Sequence, residues 1–254
     1  MSNIGLIIEE RSRDIGDFLV GRLLPFRKKR MVGPFIFIDH MGPTKLGPHH
    51  YMDVNQHPHT GLSTLTFMLE GEILHRDSMG SHQIIKPGAV NWMVAGKGVA
   101  HTERTPPALR NGNSFTAHGY QIWVALPKKL EDCEPEFHHF DADQLPTWKE
   151  GSTSFKLIAG EGYGHKSPVP VKSELFMIEI NTVEQFELQT KNNLKGEIGI
   201  CIVEGEIEAC GNSIKKGNMA VSKVEDTCNV LVKANTHLLL FGGKPFEEER
   251  FIYW

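Results

Sequence analysis

The sequence predicts an all-β protein of two similar units, each an antiparallel barrel or sandwich, and three observations support this reading. Short β-branched and aromatic runs recur along the chain, glycine and proline punctuate them, and one four-residue turn sequence occurs twice. A chain of 254 residues is long enough for one large β domain or for two smaller ones, each burying its own core. The repeat favours two.

Taken in order, Arg27-Lys28-Lys29-Arg30 is a basic run just before the apolar stretch Gly33-Pro34-Phe35-Ile36-Phe37-Ile38. It reads as a solvated turn leading into a buried strand rather than as a targeting signal. Residues 62–69, 121–126, 175–180, 198–203 and 237–241 read as strands. Helical periodicity is scarce, and residues 142–149 form the one stretch suited to a short helix. Residues 127–146, rich in Glu, Asp, His and Pro, read as a surface connection between the halves. The expected units are therefore 1–130 and 131–254.

Glu70-Gly71-Glu72-Ile73 returns as Glu204-Gly205-Glu206-Ile207, 134 residues downstream (204 − 70). Ile85-Lys86-Pro87-Gly88 then finds a counterpart in Ile214-Lys215-Lys216-Gly217, with the second copy five residues shorter between the two motifs. Two matches in the same order point to a duplicated unit.

Composition narrows the function classes. A formal charge of −4 provides no field that would draw the molecule to nucleic acid or to an anionic membrane. Cys133, Cys201, Cys210 and Cys228 are widely spaced, with no Cys-x-x-Cys pair, and read as reduced, structural thiols. The N-terminal stretch reaches acidic residues too soon for a signal peptide, and no later stretch is apolar for the length of a bilayer. The expected setting is cytoplasmic, or nuclear in a eukaryote, with no membrane partner.

The chemistry gathers in two short segments. In His57-Pro58-His59 and His101-Thr102-Glu103 the outer residues are two apart, so on an extended chain each pair shares a face. Pro58 keeps the first segment extended, and Gly96-Lys97-Gly98 supplies a turn that could bring the second pair beside the first. Three imidazoles and a carboxylate could then meet at one point. Such a donor set, without thiolate, suits a catalytic or redox metal with open positions rather than a structural zinc clamp. The same spacing also fits hydrogen-bonded surface pairs, and His49-His50, His138-His139 and His75 read as surface or loop residues. Leu65 and Phe67, on the face of His59 if the strand is regular, read as core more than as substrate contacts.

Several stretches resemble the pirin family. They are Met31 to Pro43, His57-Pro-His-Thr-Gly-Leu62, Glu70-Gly-Glu-Ile-Leu-His-Arg-Asp-Ser78 and the long run Pro87 to Thr105. The match continues through Gln121 to Pro127, Ser167 to Pro170 and Leu240-Phe-Gly-Gly-Lys-Pro245, covering nearly the whole chain. The resemblance implies two stacked cupin barrels, a bicupin, with metal only in the first. It places His57, His59, His101 and Glu103 on the family's ligand positions. It implies one divalent transition metal, Fe(II) foremost, with Ni, Cu, Co, Mn and Zn as the other candidates. It also implies a dioxygenase activity in which a flavonol such as quercetin is opened with O2. With that ligand set Glu103 could accept the substrate's proton, or serve as a permanent fourth ligand with no proton role. The alternative implied by the same resemblance is a non-enzymatic, metal- and redox-dependent regulator that binds a protein partner. A cupin isomerase or sugar-binding protein is a third, weaker reading.

The repeat bears on the one-metal expectation independently. Carried into the second copy, His57 and His59 fall on Lys191 and Asn193, and His101 and Glu103 on Val230 and Val232. The chain ends at Phe251-Ile-Tyr-Trp254, an apolar tail expected to be strand-like, and pirin-like chains run somewhat further. The C-terminal unit is thus expected to be shortened.

Overall fold

The computed structural model describes residues 5–15, 19–223, 229–248 and 250–252. They are built almost wholly of β-strands and divide into two compact units. One comprises Arg11–Pro25 and Ile36–Gln144, and the other Met1–Glu10, Phe26–Phe35 and Leu145–Trp254. Residues 131–144 thus group with the first unit, while residues 1–10 and 26–35 group with the second.

In the first unit a seven-stranded antiparallel sheet runs in the order Glu136–Phe140, Val90–Val94, Leu62–Glu70, Phe115–Ala125, Phe35–Leu46, Leu19–Leu24, Arg11–Asp14. A four-stranded sheet has the order Asp53–His59, Val99–Arg104, Ile73–Asp77, His82–Ile85. The second unit repeats the plan. Its eight-stranded sheet includes Leu6–Glu9, Asn218–Lys223, Glu197–Glu204, Thr236–Gly243 and Leu175–Thr182, and its four-stranded sheet runs Phe186–Leu188, Val230–Val232, Glu206–Ala209, Asn212–Lys215.

The repeated Glu-Gly-Glu-Ile sequence has a physical reason. Each copy forms the turn from a long strand of the large sheet to a strand of the small one, with Gly71 at φ +78° and Gly205 at φ +82°. A Cβ at Gly71 would stand 2.4 Å from the Thr116 carbonyl oxygen, and one at Gly205 2.5 Å from Thr236 Oγ1. Only glycine satisfies both the backbone angle and the space.

All five strand-like runs fall on strands, with only Leu126 lying just past the end of its own. The expected helix over 142–149 is corrected: Ala142–Gln144 makes one 3-10 turn and Thr147–Glu150 is a strand paired with Thr153–Gly162. Pro146 lacks an N–H and disfavours helical backbone at Leu145, which ends the turn. The basic run forms the expected turn, closed by reciprocal backbone bonds between Phe26 and Lys29 of 3.0 Å. Arg27 and Lys28 are exposed, and Lys29 pairs with Glu197. The connection over 127–146 is more than a linker, because Glu136–Phe140 completes the edge of the large sheet beside Val90–Val94.

The thiol reading is corrected at one position. Cys133 and Cys201 are free, but Cys210 is disulfide-bonded. Cys228 lies outside the described residues. Phe251 and Ile252 form no strand, and Tyr253 and Trp254 lie outside the described residues. Among the described residues no helix is long and apolar enough to cross a membrane.

The core of the second unit is filled by hydrocarbon. Leu157, Ile178, Ile180, Ile200, Ile207, Val230, Val232 and Leu240 belong to one buried cluster. Strand register also revises one equivalence of the repeat. Val230 lies opposite Ala209 and Leu188, as Glu103 lies opposite His75 and Val54. With Ile73 matched to Ile207, Val230 stands in the place of Glu103, and the position matching His101 falls on residue 228, outside the described residues.

Candidate metal centre

Antiparallel pairing builds the site. Strand Val99–Arg104 lies between Asp53–His59 and Ile73–Asp77, with His101 directly opposite His57 on one side and Asp77 on the other. On the side of Asp53–His59 a register shift between His101 and Glu103 sets Glu103 opposite Val54, while regular pairing with Ile73–Asp77 sets it opposite His75. Such a bulge re-aims side chains within a sheet. The turn before His101 is tied by Gly98 N–H to the Ala95 carbonyl at 2.8 Å.

Two overlapping clusters result. His57, His59 and His101 bring one potential ligand atom each within 4.8 Å of one another, and so do His75, His101 and Glu103. His101 is common to both, so all four expected ligands lie in one continuous buried patch, with Glu103 in the second cluster. His59, His75, His101 and Glu103 are buried, while His57 is half-buried and forms the open side.

Hydrogen bonding determines which nitrogens are free. His57 Nδ1–H donates to the Asn55 carbonyl at 2.8 Å, leaving its Nε2 lone pair available. His59 Nε2 and His101 Nε2 face each other at 3.1 Å. Neighbouring ligands on one ion, with bonds of ~2.1 Å, stand about 3 Å apart, so these imidazoles fit a shared metal. His59 also meets the edge of Trp123, with ring centroids 4.8 Å apart.

The environment keeps these imidazoles neutral. Burial, reinforced by His57, lowers the His59 pKa from 6.5 to about 4. Burial together with His57, His59 and His75 lowers that of His101 to about 2. Neutral imidazole is the form that binds metal. Glu103 is shifted the other way, since burial raises its pKa against the opposing pull of His75, His57 and Thr66.

Other residues in the site were not legible in the sequence. His75, expected on the surface or in a loop, is buried on strand Ile73–Asp77, its ring stacked on Phe137 with centroids 4.6 Å apart. Thr66 Oγ1 lies 3.2 Å from Glu103 Oε1 and 2.8 Å from Gln121 Oε1. Leu65 and Phe67 are fully buried. Alternation from Thr66 sets them on the opposite face of their strand. The face inferred from His59 is not carried across Gly61, whose φ of +67° interrupts the extended chain. A strict His-x-Asp alternation over 75–77 was the one available signal for His75. His49 and His50 are exposed in a loop, as expected, whereas His138 and His139 are half-buried on an edge strand.

Comparisons with known proteins agree with this construction. Residues 18–124 match the model of the family described as Pirin, and residues 176–254 that of the Pirin C-terminal cupin domain. A pirin-like protein of Caulobacter vibrioides is 42% identical over 257 residues, covering 99% of this chain and 87% of the relative. The crystal structure of a quercetin 2,3-dioxygenase from Acinetobacter baumannii superposes with a TM-score of 0.89 at 34% identity, covering 98% of this chain and 82% of that one. A second quercetin 2,3-dioxygenase structure from that organism gives a TM-score of 0.89 at 26% identity, covering 100% of this chain and 91% of that one. With two double-sheet units of cupin type and a buried histidine and glutamate cluster in the first, the chain belongs to the pirin family.

Proposed function

We propose that this chain is a metal-dependent dioxygenase that opens flavonols such as quercetin with O2. His57, His59, His101 and Glu103 would hold one divalent transition metal, Fe(II) foremost. The observation that carries the proposal is the set of converging imidazole nitrogens with a buried carboxylate beside them and one half-exposed side at His57. The likeness to the quercetin 2,3-dioxygenases of Acinetobacter baumannii supports the choice of substrate class. When bound, the metal would supply Lewis-acid polarisation of the flavonol 3-hydroxyl and redox access to O2.

The chain's own residues handle the proton. Glu103 accepts it from the flavonol 3-hydroxyl as general base, and burial favours its protonated form. The Thr66 hydroxyl has one proton and two acceptor neighbours, Glu103 and Gln121. Once Glu103 is protonated it can donate to Thr66 while Thr66 donates to Gln121, so every partner is satisfied. Burial of His59 and His101 excludes water from the inner side. Entry is by the side of His57.

Oxygen uptake with a flavonol, measured per bound metal, tests the proposal. Glu103→Gln keeps one oxygen and loses the basic carboxylate, so turnover should fall by ~10²–10⁴-fold with metal still bound. Full turnover at equal occupancy would remove Glu103 as the base. Absence of uptake in the unmutated chain with every candidate metal, together with oxidation-state-dependent binding of a protein partner, would favour the regulator.

A further inference from the structure

We infer that His75 and Asp77 form a positioning pair that sets the tautomer of His101 and aims its Nε2 lone pair at the metal; this rests on the metal reading above. The two residues are two apart on strand Ile73–Asp77, so their side chains share a face. His75 Nε2 lies 3.0 Å from Asp77 Oδ2. A carboxylate oxygen only accepts, so in the neutral ring the proton sits on Nε2 and His75 Nδ1 is bare. That bare nitrogen lies 3.3 Å from His101 Nδ1. His101 must then donate from Nδ1, which leaves its Nε2 unprotonated on the side of His59, 3.1 Å away.

The pair is itself held firmly. Asp77 Oδ1 accepts from Met79 N–H at 2.9 Å and Ser81 N–H at 3.0 Å. The Asp77 side chain is 0% exposed and that of His75 3% exposed, and Phe137 stacks on the imidazole at 21°. A surface ion pair would need none of this enclosure.

Histidine ligands are commonly oriented by a carboxylate or carbonyl acceptor on the other ring nitrogen. His57 uses the Asn55 carbonyl in this way. For His101 the acceptor is one imidazole further out, with the carboxylate behind it. His75 could instead be a ligand, but its Nδ1 faces the side of the His101 ring away from the Nε2 contact with His59, and its Nε2 is engaged by Asp77.

Two measurements test the pair. Long-range ¹⁵N–¹H NMR of the unmutated, metal-free chain should show His101 protonated at Nδ1 and His75 at Nε2; protonation of His101 at Nε2 would overturn the inference. Competition of the whole chain with a chelator for Ni(II) should show Asp77→Ala and His75→Phe weakening affinity by roughly 10–100-fold. Asp77→Asn, which keeps an oxygen to accept the His75 proton, should recover most of the loss. Unchanged affinity in both disruptive variants would overturn the inference, as would X-ray absorption showing one imidazole fewer at nickel in His75→Phe, which would make His75 a ligand. If the unmutated chain takes up no Ni(II), Fe(II) or other candidate ion, the metal reading itself fails, and the NMR result still decides the tautomer.

Discussion

His59 and His101 lose protons more readily in the fold than in the unfolded chain, with pKa values lowered from 6.5 to about 4 and about 2. As pH falls below ~6.5 the unfolded chain takes up two protons that the native site refuses, so this contribution is whole above that pH and is lost below it. Glu103, with its pKa raised, works the opposite way, because the fold retains a proton that the unfolded chain releases. The two imidazoles alone would cost metal-free protein up to about 2.7 kcal/mol per pH unit below pH 6.5, Glu103 offsets part of this, and stability should fall between roughly pH 6.5 and 4.5. Urea midpoints measured across that range check this, and a flat profile would show that the imidazoles are not desolvated. At the same scale, the two candidate pairs were legible because a spacing of two is the period of a strand. The neighbours Thr66, Gln121 and Trp123 were not, because they come from other strands and nothing local marks them, and His75 carried only its two-residue spacing to Asp77.

Among the elements, the Glu-Gly-Glu-Ile turn offers the most direct test of the duplicated plan. Gly71 and Gly80 both have positive φ, +78° and +96°. A Cβ at Gly71 would stand 2.4 Å from the Thr116 carbonyl oxygen, whereas Gly80 has nothing within 4 Å. Gly80→Ala should cost only the left-handed backbone penalty of ~1–2 kcal/mol. Gly71→Ala should cost clearly more, since backbone must move as well, and thermal or urea unfolding of the two variants measures the difference. Equal losses would mean that the strand beside Gly71 yields freely. The five strand-like runs were readable from β-branched residues and turn punctuation, and their ends were not. Residues 118–120 extend their strand by pairing with Leu62–Glu70. Within the expected helix over 142–149, residues 147–149 became strand instead, with Thr153–Gly162 supplying the hydrogen bonds.

For the whole molecule, the prediction is one metal ion per chain. The second unit's cluster includes Val230 in the place that Glu103 holds in the first, and hydrocarbon cannot bind a cation. Replacing His57 and His101 together by alanine should abolish metal retained through purification, which elemental analysis would show. Metal that binds only the native site stabilises by ~2.7 kcal/mol at a hundred times its dissociation constant. Chelation should accordingly lower the melting temperature of the unmutated chain and leave that of the double variant unmoved. Unchanged stoichiometry in the double variant would place the ion elsewhere.

What the sequence determined by itself is local or periodic. The alternation of His57 with His59 and of His101 with Glu103, the repeated glycine turn, and the apolar residues of the second unit all depend on neighbours within a few positions. Tertiary structure decided what depends on register. It moved the counterpart of Glu103 to Val230, turned Leu65 and Phe67 away from the face of Thr66, and buried His75 against His101. A shift of one residue in pairing exchanges the faces of a strand, and only the assembled sheet specifies which face is inward.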